Sequence, residues 1–267
     1  MLKIAVVNMK GGVGKTTTAV NLAAGIAAGG RHVLLVDTDP QGNVGHALGV
    51  HPPRGLMQVM LGEAEPGDVI VRAVRERLDV IPSTTDAFAL ERQLAGVTQR
   101  ETILARRLRS LSAYDCVVLD SSPAMNLLTY NALLYADRIV VPVGMDSMAL
   151  IGARQTLNGV LEVQELWPDR DLQLLAVLPT FVNPATVATR AALAALESDP
   201  RMQTALYRPG IRQCLDLTYA TARHQTIWEY APRSRAAEDY AAFITFIEQH
   251  RVAQEAVHGQ ESQTRVV

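Results

Sequence analysis

A short glycine-rich segment carries two of the three lysines in this chain. It spells KGGVGKTT over residues 10–17 and follows an apolar stretch at residues 4–7. Lys3 is the third lysine, and every other residue with a permanent positive charge is arginine. An ammonium group is a compact point charge that suits phosphate, whereas the planar arginine fork suits bidentate and stacked contacts. The segment therefore predicts a loop that holds a polyphosphate.

The loop has the parts of a phosphate-binding loop, in a variant form. In the pattern GxxxxGK[ST], Met9 occupies the place of the first glycine. Consecutive backbone N–H groups at the N-terminus of a helix can still surround a β-phosphate. We expect Lys15 to contact the β- and γ-phosphates and the Thr16 hydroxyl to ligate Mg²⁺. The predicted nucleotide-binding residues are Gly11, Gly12, Val13, Gly14, Lys15, Thr16 and Thr17.

Lys10 stands at the mouth of this loop, where its side chain cannot easily turn back onto the phosphates that Lys15 serves. Two interpretations are open. In one, Lys10 is an exposed loop charge. In the other, its ammonium reaches a nucleotide that is bound by a second subunit, which makes Lys10 catalytic.

Three aspartates follow or close apolar segments that are typical of buried strands. Asp37 and Asp39 belong to the segment VDTDPQGN at residues 36–43, and Asp120 follows three apolar residues. Ligands of open α/β sheets bind at the carboxyl edge of the parallel strands, so we expect these side chains to lie beside the phosphate loop. The alternative is that they only cap the ends of strands.

Apolar β-branched segments alternate with alanine- and leucine-rich segments along the chain. The predicted strands are residues 3–8, 32–37, 78–82, 115–120, 138–143 and 172–178. The predicted helices are residues 16–28, 101–111, 125–136 and 148–166, with a core-facing stripe of Tyr240, Phe243, Ile244 and Ile247 on a last helix. This alternation predicts an α/β fold, doubly wound, with a mostly parallel sheet and helices on both faces.

Composition limits the possible functions. The chain has 267 residues, 48% of them hydrophobic, which fits a single domain at residues 1–250, followed by a polar, flexible tail at 251–267. A formal net charge of −2 gives no global attraction to nucleic acid or anionic membrane, so such binding requires a local patch. Cys116 and Cys214 are far apart, and no signal peptide or membrane span is visible, so we expect a cytoplasmic protein.

Three motifs together resemble one protein family. KGGVGKTT at residues 10–17, VDTDPQGN at 36–43 and VVLDSSPAM at 117–125 are similar to the deviant Walker motifs of the ParA/MinD family of P-loop ATPases. The resemblance extends from Lys3 to about Glu248 and is strongest to the short, Soj-like ParA proteins. It implies a slow, partner-stimulated ATPase that needs Mg²⁺ and forms a homodimer with two ATP molecules between the subunits.

The resemblance also implies roles for single residues. Lys10 matches the signature lysine that crosses to the partner's phosphates, and Asp120 matches the Walker B aspartate that holds Mg²⁺. Asp39 matches the aspartate that positions the attacking water. We expect Asp37 to support the metal shell or the loop hydroxyls.

The position of the base is less firmly indicated. Asn183, after the strand at 172–178, stands where relatives contact the purine with a side-chain amide. An Asx turn ahead of Pro184 is the alternative. Pro209, in the turn at residues 207–210, is a candidate to close the other side of the ring.

Family relatives bind either nonspecific DNA or membranes. Residues 201–235 carry six arginines against Asp216 and Glu229, which favours DNA. The candidate DNA contacts are Arg190, Arg208, Arg212 and Arg223, of which Arg212 resembles a DNA-contacting arginine of ParA proteins. The alternative is an arginine-rich solvated surface.

Two other functions stay open. A MinD-like membrane helix requires a basic amphipathic C-terminus, but residues 251–261 contain acids and a glycine. A metabolic or redox enzyme on the same scaffold is the second alternative, although Cys116 and Cys214 are poorly placed for a shared cluster. The expected partner is a ParB-like or other cargo adaptor, and the sequence does not identify the cargo.

Overall fold

The computed structural model describes residues 1–84, 87 and 89–264, and the backbone alone for residues 252–264. In this part of the chain, apolar segments form one sheet of seven strands. They are β1 Leu2–Val6, β2 Val33–Thr38, β3 Val71–Arg75, β4 Leu78–Ile81, β5 Cys116–Ser121, β6 Arg138–Gly144 and β7 Gln173–Thr180. The strand order is β3-β4-β2-β5-β1-β6-β7, and all neighbours are parallel except β3 and β4.

Helices connect the strands and cover both faces of the sheet. Those in the described residues are α1 Lys15–Ala28, α2 Asn43–Leu48, α3 Leu56–Leu61, α4 Pro66–Val69, α5 Leu90–Gln93, α6 Ile103–Arg107, α7 Leu127–Tyr135, α8 Ser147–Leu166, α9 Val187–Ser198, α10 Leu215–Ala222, α11 Ile227–Tyr230 and α12 Arg235–Thr264.

The central strands are apolar throughout because each of them faces two cores. On β1, Ile4 and Val6 pack in a core with α1 and α12, whereas Ala5 lies in the core with α7 and α8. Successive side chains of a strand point to opposite faces, so a strand that is buried on both sides needs no polar alternation. The doubly wound, mostly parallel α/β sheet predicted from the sequence is confirmed.

All six predicted strands are present, but the edge strand β3 was not predicted. It contains two arginines, lies at the border of the sheet and pairs antiparallel with β4 through the turn at Glu76 and Arg77. Its residues are half-buried or exposed, so it lacks the continuous apolar run that marks a buried strand. Arg77 adopts a φ of 58°, in the left-handed region, where the sequence has no glycine to indicate a turn.

One helix prediction needs correction, and the last helix extends further than the sequence indicated. The single helix expected at residues 101–111 is divided into a 3-10 turn, α6 and a second 3-10 turn. In the last helix, Tyr240, Phe243 and Ile247 are buried as predicted, and Ile244 packs against them. The segment from Arg251 does not leave this helix, which continues to Thr264, because alanine and glutamate support helix in a polar segment. Residues 265–267 lie outside the described residues, and the flexibility of the tail stays a prediction.

Candidate nucleotide site

The predicted phosphate loop connects β1 to α1 at the carboxyl edge of the sheet. Gly12 and Gly14 have φ angles of 74° and 84°, which favour glycine because other residues are strained there. A Cβ atom on Gly11 or Gly12 would meet no described atom within 4 Å, so the backbone on this side is open to a ligand. Val13 O accepts from Thr180 Oγ1 at 2.9 Å, which ties the loop to β7, and Asn21 Nδ2 donates to Thr17 O at 2.8 Å within α1.

Lys15 begins α1 and is only 6% exposed. Its Nζ donates to the carbonyl oxygen of Lys10 at 3.0 Å, across the loop. Burial lowers the pKa of Lys15, and the carboxylates of Asp120 and Asp39 partly oppose that shift. A buried ammonium of this kind gains most from an anion that comes within contact distance.

Thr16 and Asp120 meet beside the loop as predicted. Thr16 Oγ1 donates to Asp120 Oδ2 at 2.7 Å, and Asp120 is fully buried at the end of β5. Its second oxygen, Oδ1, has no hydrogen-bond partner in the described residues. Burial raises the pKa of Asp120 to about 7, against the lowering effects of the Thr16 hydrogen bond and of Lys15. An unpartnered buried carboxylate oxygen next to a hydroxyl fits a hard cation such as Mg²⁺.

These residues do not form a metal cage by themselves. Within the described chain, no group of three or more His, Cys, Asp or Glu side chains is arranged to hold a metal ion. Mg²⁺ is usually held by one or two carboxylates, with waters and substrate phosphates as its other ligands. The Thr16–Asp120 pair therefore fits a metal that arrives with a nucleotide.

Asp37 supports the loop after β2. Its Oδ1 accepts from the backbone N–H of Asp39 at 3.0 Å, and its Oδ2 accepts from that of Val44 at 3.1 Å. Burial, followed by the charge of Asp120, raises the pKa of Asp37 well above its ordinary value. Both oxygens thus contact the backbone of residues 39–44, and a role of Asp37 toward the metal stays a prediction.

Asp39 lies on the same edge of the sheet and is 4% exposed. Its Oδ1 accepts from the backbone N–H of Gln41 at 3.0 Å. Together with Pro40 and Gln41, it lines a cleft of about 270 Å³ whose other walls are α5 and the segment 122–128. Asp37, Asp39 and Asp120 are therefore neighbours, as their positions after adjacent strands predicted.

Lys10 is oriented by its backbone. Its N–H donates to Asn8 Oδ1 at 2.8 Å, and Asn8 Nδ2 donates to Pro142 O at 2.7 Å. Across the described residues, no hydrogen bond or ion pair engages the Lys10 ammonium. The main chain of Lys10 is thus held by Asn8, while its ammonium group has no partner among the described residues.

The comparisons with known proteins agree with this geometry. A family model described as an AAA domain matches residues 1–174. The sporulation initiation inhibitor protein Soj of Bacillus subtilis is 37% identical over 89% of this chain and 94% of its own length. The chromosome-partitioning ATPase Soj of Thermus thermophilus is 38% identical over 89% of this chain and 92% of its own length. The chain belongs to the ParA/MinD family of P-loop ATPases.

One solved structure is similar to nearly the whole of this chain. Cobyrinic acid a,c-diamide synthase from Mycobacterium smegmatis, with bound ADP and magnesium, matches with a TM-score of 0.83 and 31% identity. The match covers 95% of this chain and 96% of that one. That protein is a synthase by name, and its fold is shared with this chain.

The structure brings the two predicted base contacts to one place in this ParA-family chain. The segment after β7 runs beside residues 207–213, because Val182 N–H donates to Ile211 O at 3.0 Å. Asn183 Oδ1 accepts from the backbone N–H of Ala185 at 3.2 Å, so the Asx turn considered as an alternative is present. Pro209 is exposed in the facing turn. Contact of Asn183 or Pro209 with a purine stays a prediction.

Phe181 is a residue near the site that sequence reasoning missed. It is 43% exposed and has a φ of 57°, in the left-handed region. A Cβ atom on Gly14 would lie 3.6 Å from its Cζ, so its ring borders the phosphate loop. In the sequence, Phe181 follows a strand like any apolar residue, and no local pattern indicates its exposure.

The arginines of the predicted DNA surface are less free than their count suggested. Arg212 contacts Asp239 at 2.8 Å and Glu238 at 3.0 Å, and these hydrogen bonds raise its pKa. The count over residues 201–235 omitted both acids because they lie just beyond residue 235, in α12. The predicted local excess of charge is therefore partly neutralised at Arg212.

The other three candidates lie on the surface with weaker contacts. Arg208 pairs with Glu197 at 3.5 Å, and Arg190 donates to Pro184 O at 3.0 Å. Arg223 lies over the ring of Tyr230, 5.5 Å from its centroid. All three are exposed, and DNA contact by any of these arginines stays a prediction.

Among the described helices, none is both long enough and apolar enough to cross a bilayer.

Proposed function

We propose that this chain is a Mg²⁺-dependent ATPase of the ParA type that pairs with a second copy when both bind ATP. The pair holds DNA without sequence preference and releases it on hydrolysis, which positions DNA or another cargo in the cytoplasm. One observation carries the proposal: Thr16 Oγ1 lies 2.7 Å from Asp120 Oδ2, while Asp120 Oδ1 is buried without a partner in the described residues. With the buried Lys15 ammonium beside it, this arrangement suits the metal and phosphate ends of ATP.

Binding uses groups that are already in place. The backbone N–H groups of residues 11–16 surround the β-phosphate, and Lys15 exchanges its contact with the Lys10 carbonyl for phosphate oxygens. Thr16 and Asp120 would hold Mg²⁺, and the bound ion would supply positive charge against the phosphate oxygens. Because Lys15 is poorly solvated in the protein alone, its contact with phosphate costs little further desolvation.

Hydrolysis depends on positioning, since phosphoryl transfer requires little covalent chemistry from the protein. Asp39 orients the attacking water with the carboxylate oxygen that does not accept from Gln41. Among the described side chains at this edge of the sheet, none acts as a strong general base, so intrinsic turnover is slow. A ParB-like or other adaptor protein accelerates it.

Pairing is supported by the surface around Lys10. Its ammonium has no partner among the described residues, and the nearby side chains of Met148, Ile151 and Phe181 are 56%, 46% and 43% exposed. Gly152 of α8 borders Lys10 and Phe181 borders Gly14, so Phe181 lies next to the phosphate loop, and Met148 and Ile151 belong to the helix that contacts it. Exposed apolar groups of this size are typical of an interaction surface. The Lys10 ammonium then neutralises phosphate charge in the partner's site.

DNA binding follows from pairing because the arginine-bearing surface is doubled. Phosphate contacts add to affinity without reading sequence, and their effect decreases steeply with salt. The net charge of −2 gives a single copy no general attraction to DNA. Nucleotide-dependent pairing can therefore change DNA affinity strongly.

A metabolic ligase is the second candidate. The observation that favours it is the similarity to cobyrinic acid a,c-diamide synthase from Mycobacterium smegmatis. We prefer the partitioning function because the two Soj proteins are more similar to this chain, at 37% and 38% identity against 31%. DNA-stimulated ATP hydrolysis would support partitioning. Hydrolysis that requires a carboxylic acid and an amine donor would support the ligase.

The test is retention on nonspecific DNA with ATP, a non-hydrolysable ATP analogue, ADP or no nucleotide, at two salt concentrations. We expect retention with ATP or its analogue only, and less of it at high salt. Lys15→Gln, which removes the phosphate contact, is the control for nucleotide binding. Retention that does not depend on the nucleotide would contradict the proposal.

A further inference from the structure

Helix α8 makes unusually close contact with the main chain of Lys10. A Cβ atom placed on Gly152 would lie 2.6 Å from Lys10 Cβ, 2.8 Å from Asn8 Oδ1 and 3.2 Å from Lys10 N. Cβ contacts below 3.0 Å are essentially never seen, so any side chain here would displace Lys10 or Asn8. A glycine inside a helix costs up to about 1 kcal/mol relative to alanine, which indicates that this position serves close packing.

A second contact acts one helical turn further along α8. Thr156 Oγ1 accepts from the backbone N–H of Met9 at 2.9 Å and donates to Gly152 O at 2.7 Å. Thr156 is 2% exposed, so its hydroxyl has no access to solvent as a substitute partner. Gly152 and Thr156 thus touch consecutive residues of the loop, Lys10 and Met9.

We propose that Gly152 and Thr156 are positioning residues for Lys10, which direct its ammonium out of its own site and toward the nucleotide of a paired subunit. The inference rests on the proposed function. It adds the structural reason why Lys10 and Lys15, five positions apart, serve different nucleotides.

Apart from the contact of Lys15 Nζ with Lys10 O, the remainder of the loop is held independently of α8. Thr180 of β7 contacts Val13 O, and Asp120 of β5 contacts Thr16. A small displacement of Lys10 therefore leaves the phosphate-binding backbone and the metal pair in place. We expect a loss of pairing without a comparable loss of nucleotide binding.

The test compares Gly152→Ala and Thr156→Val with Lys10→Ala. Binding of Mg²⁺ and a fluorescent ATP analogue is measured at low protein concentration, and pairing is measured by sedimentation with a non-hydrolysable analogue. We expect both α8 variants to bind nucleotide within about threefold of wild type and to pair at least about tenfold more weakly, as 1.4 kcal/mol of lost interaction would give. Thr156→Ser keeps the hydroxyl and should restore pairing.

Gly159→Ala is the matched control on the same helix. The three atoms nearest to its new methyl group would all belong to the side chain of Met125, which can move because its end is flexible. Melting curves establish that each variant is folded. If Gly152→Ala does not fold, Thr156→Val and Thr156→Ser still provide the comparison.

A double variant tests whether the effect passes through Lys10. Gly152→Ala should not weaken pairing further when Lys10 is already alanine, and additive losses would overturn the inference. Equal losses of nucleotide binding and pairing would also overturn it, as would normal pairing by Gly152→Ala or Thr156→Val. Normal pairing by Lys10→Ala would instead contradict the proposed function.

Discussion

Three aspartates within one small region have different surroundings, and these decide what each can do. Asp37 has both oxygens engaged by backbone N–H groups. Asp120 has one oxygen on Thr16 and the other unpartnered among the described residues. Asp39 contacts the backbone of Gln41 and borders a cleft. Three side chains of the same type are thus suited to different tasks: Asp37 to hold a loop, Asp120 to hold a metal and Asp39 to hold a water molecule.

The role of Asp39 is tested by removing its carboxylate. Asp39→Ala should retain ATP binding and pairing, because the phosphate loop and the Thr16–Asp120 pair do not depend on it. Steady-state turnover should fall by about 100-fold or more, as is typical when a positioned catalytic group is lost. Turnover at the wild-type rate would remove Asp39 from the mechanism.

The pKa of Asp120 predicts how stability depends on pH. In the folded chain this pKa is about 7, whereas its ordinary value is 3.8. Between these values the folded chain retains a proton that the unfolded chain releases, so the free energy of unfolding decreases as pH rises. The decrease approaches 1.4 kcal/mol per pH unit for a single group, roughly.

In the Asp120→Asn variant this side chain cannot titrate, so the free energy of unfolding should decrease less steeply as pH rises. Urea unfolding without nucleotide, from about pH 5 to pH 7, measures the slope of the free energy of unfolding against pH for the wild type and for the variant. Asp169→Asn is the control because Asp169 is exposed on the surface. Identical slopes for wild type and Asp120→Asn would show that this carboxyl does not retain its proton.

At the scale of elements, α12 affects a distant part of the chain. Its residues Glu238 and Asp239 contact Arg212, in the segment that pairs with residues after β7. An acidic pair on a helix thereby balances an arginine that the sequence alone assigns to DNA. Whether Arg212 reaches DNA depends on whether this pairing opens.

Asp239→Asn tests that dependence while keeping a hydrogen-bond acceptor for the Arg212 backbone. If Arg212 contacts DNA, the variant should bind DNA more tightly with ATP. A plot of the logarithm of the DNA-binding constant against the logarithm of the salt concentration should steepen by up to roughly 2, because each of the two subunits gains one phosphate contact. Glu76→Gln is the control, since the side chain of Glu76 is 92% exposed. An unchanged slope would argue against Arg212 as a DNA contact.

At the scale of the molecule, the site is assembled from the middle of the sheet. The phosphate loop follows β1, Asp120 closes β5, and Asp37 and Asp39 stand at the end of β2, three neighbouring strands. Their carboxyl ends lie together because the strands are parallel. A ligand bound there contacts the centre of the fold rather than one loop.

Nucleotide binding should therefore stabilise the whole molecule. With Mg²⁺ and an ATP analogue at a free concentration of 100 times Kd, the free energy of unfolding should rise by about 2.7 kcal/mol. Thermal unfolding with and without Mg²⁺ and the analogue measures this effect. In the Lys15→Gln variant, Mg²⁺ and the analogue should cause almost no increase in stability. An equal increase in that variant would mean that the nucleotide binds elsewhere.

Most of the fold was predictable because its central strands are buried on both faces. Such strands are continuous apolar segments, and six of them were recognised. The edge strand β3 and the divided helix at residues 101–111 were not, because partial exposure and short 3-10 turns leave no regular period. Asn8, Gly152 and Thr156 were also missed, since each acts through a partner that is distant in sequence or outside the motif.

The amino-acid sequence by itself determined the phosphate loop, the three aspartates and the α/β class. These features are local, because a glycine-rich turn and an apolar run act through their own backbone and side chains. Only the tertiary structure decided that Asp120 keeps a buried oxygen without a described partner, that Arg212 is balanced by α12 and that α8 presses on Lys10. Burial and ion pairing depend on which distant elements pack together, and no single segment of the sequence contains that information.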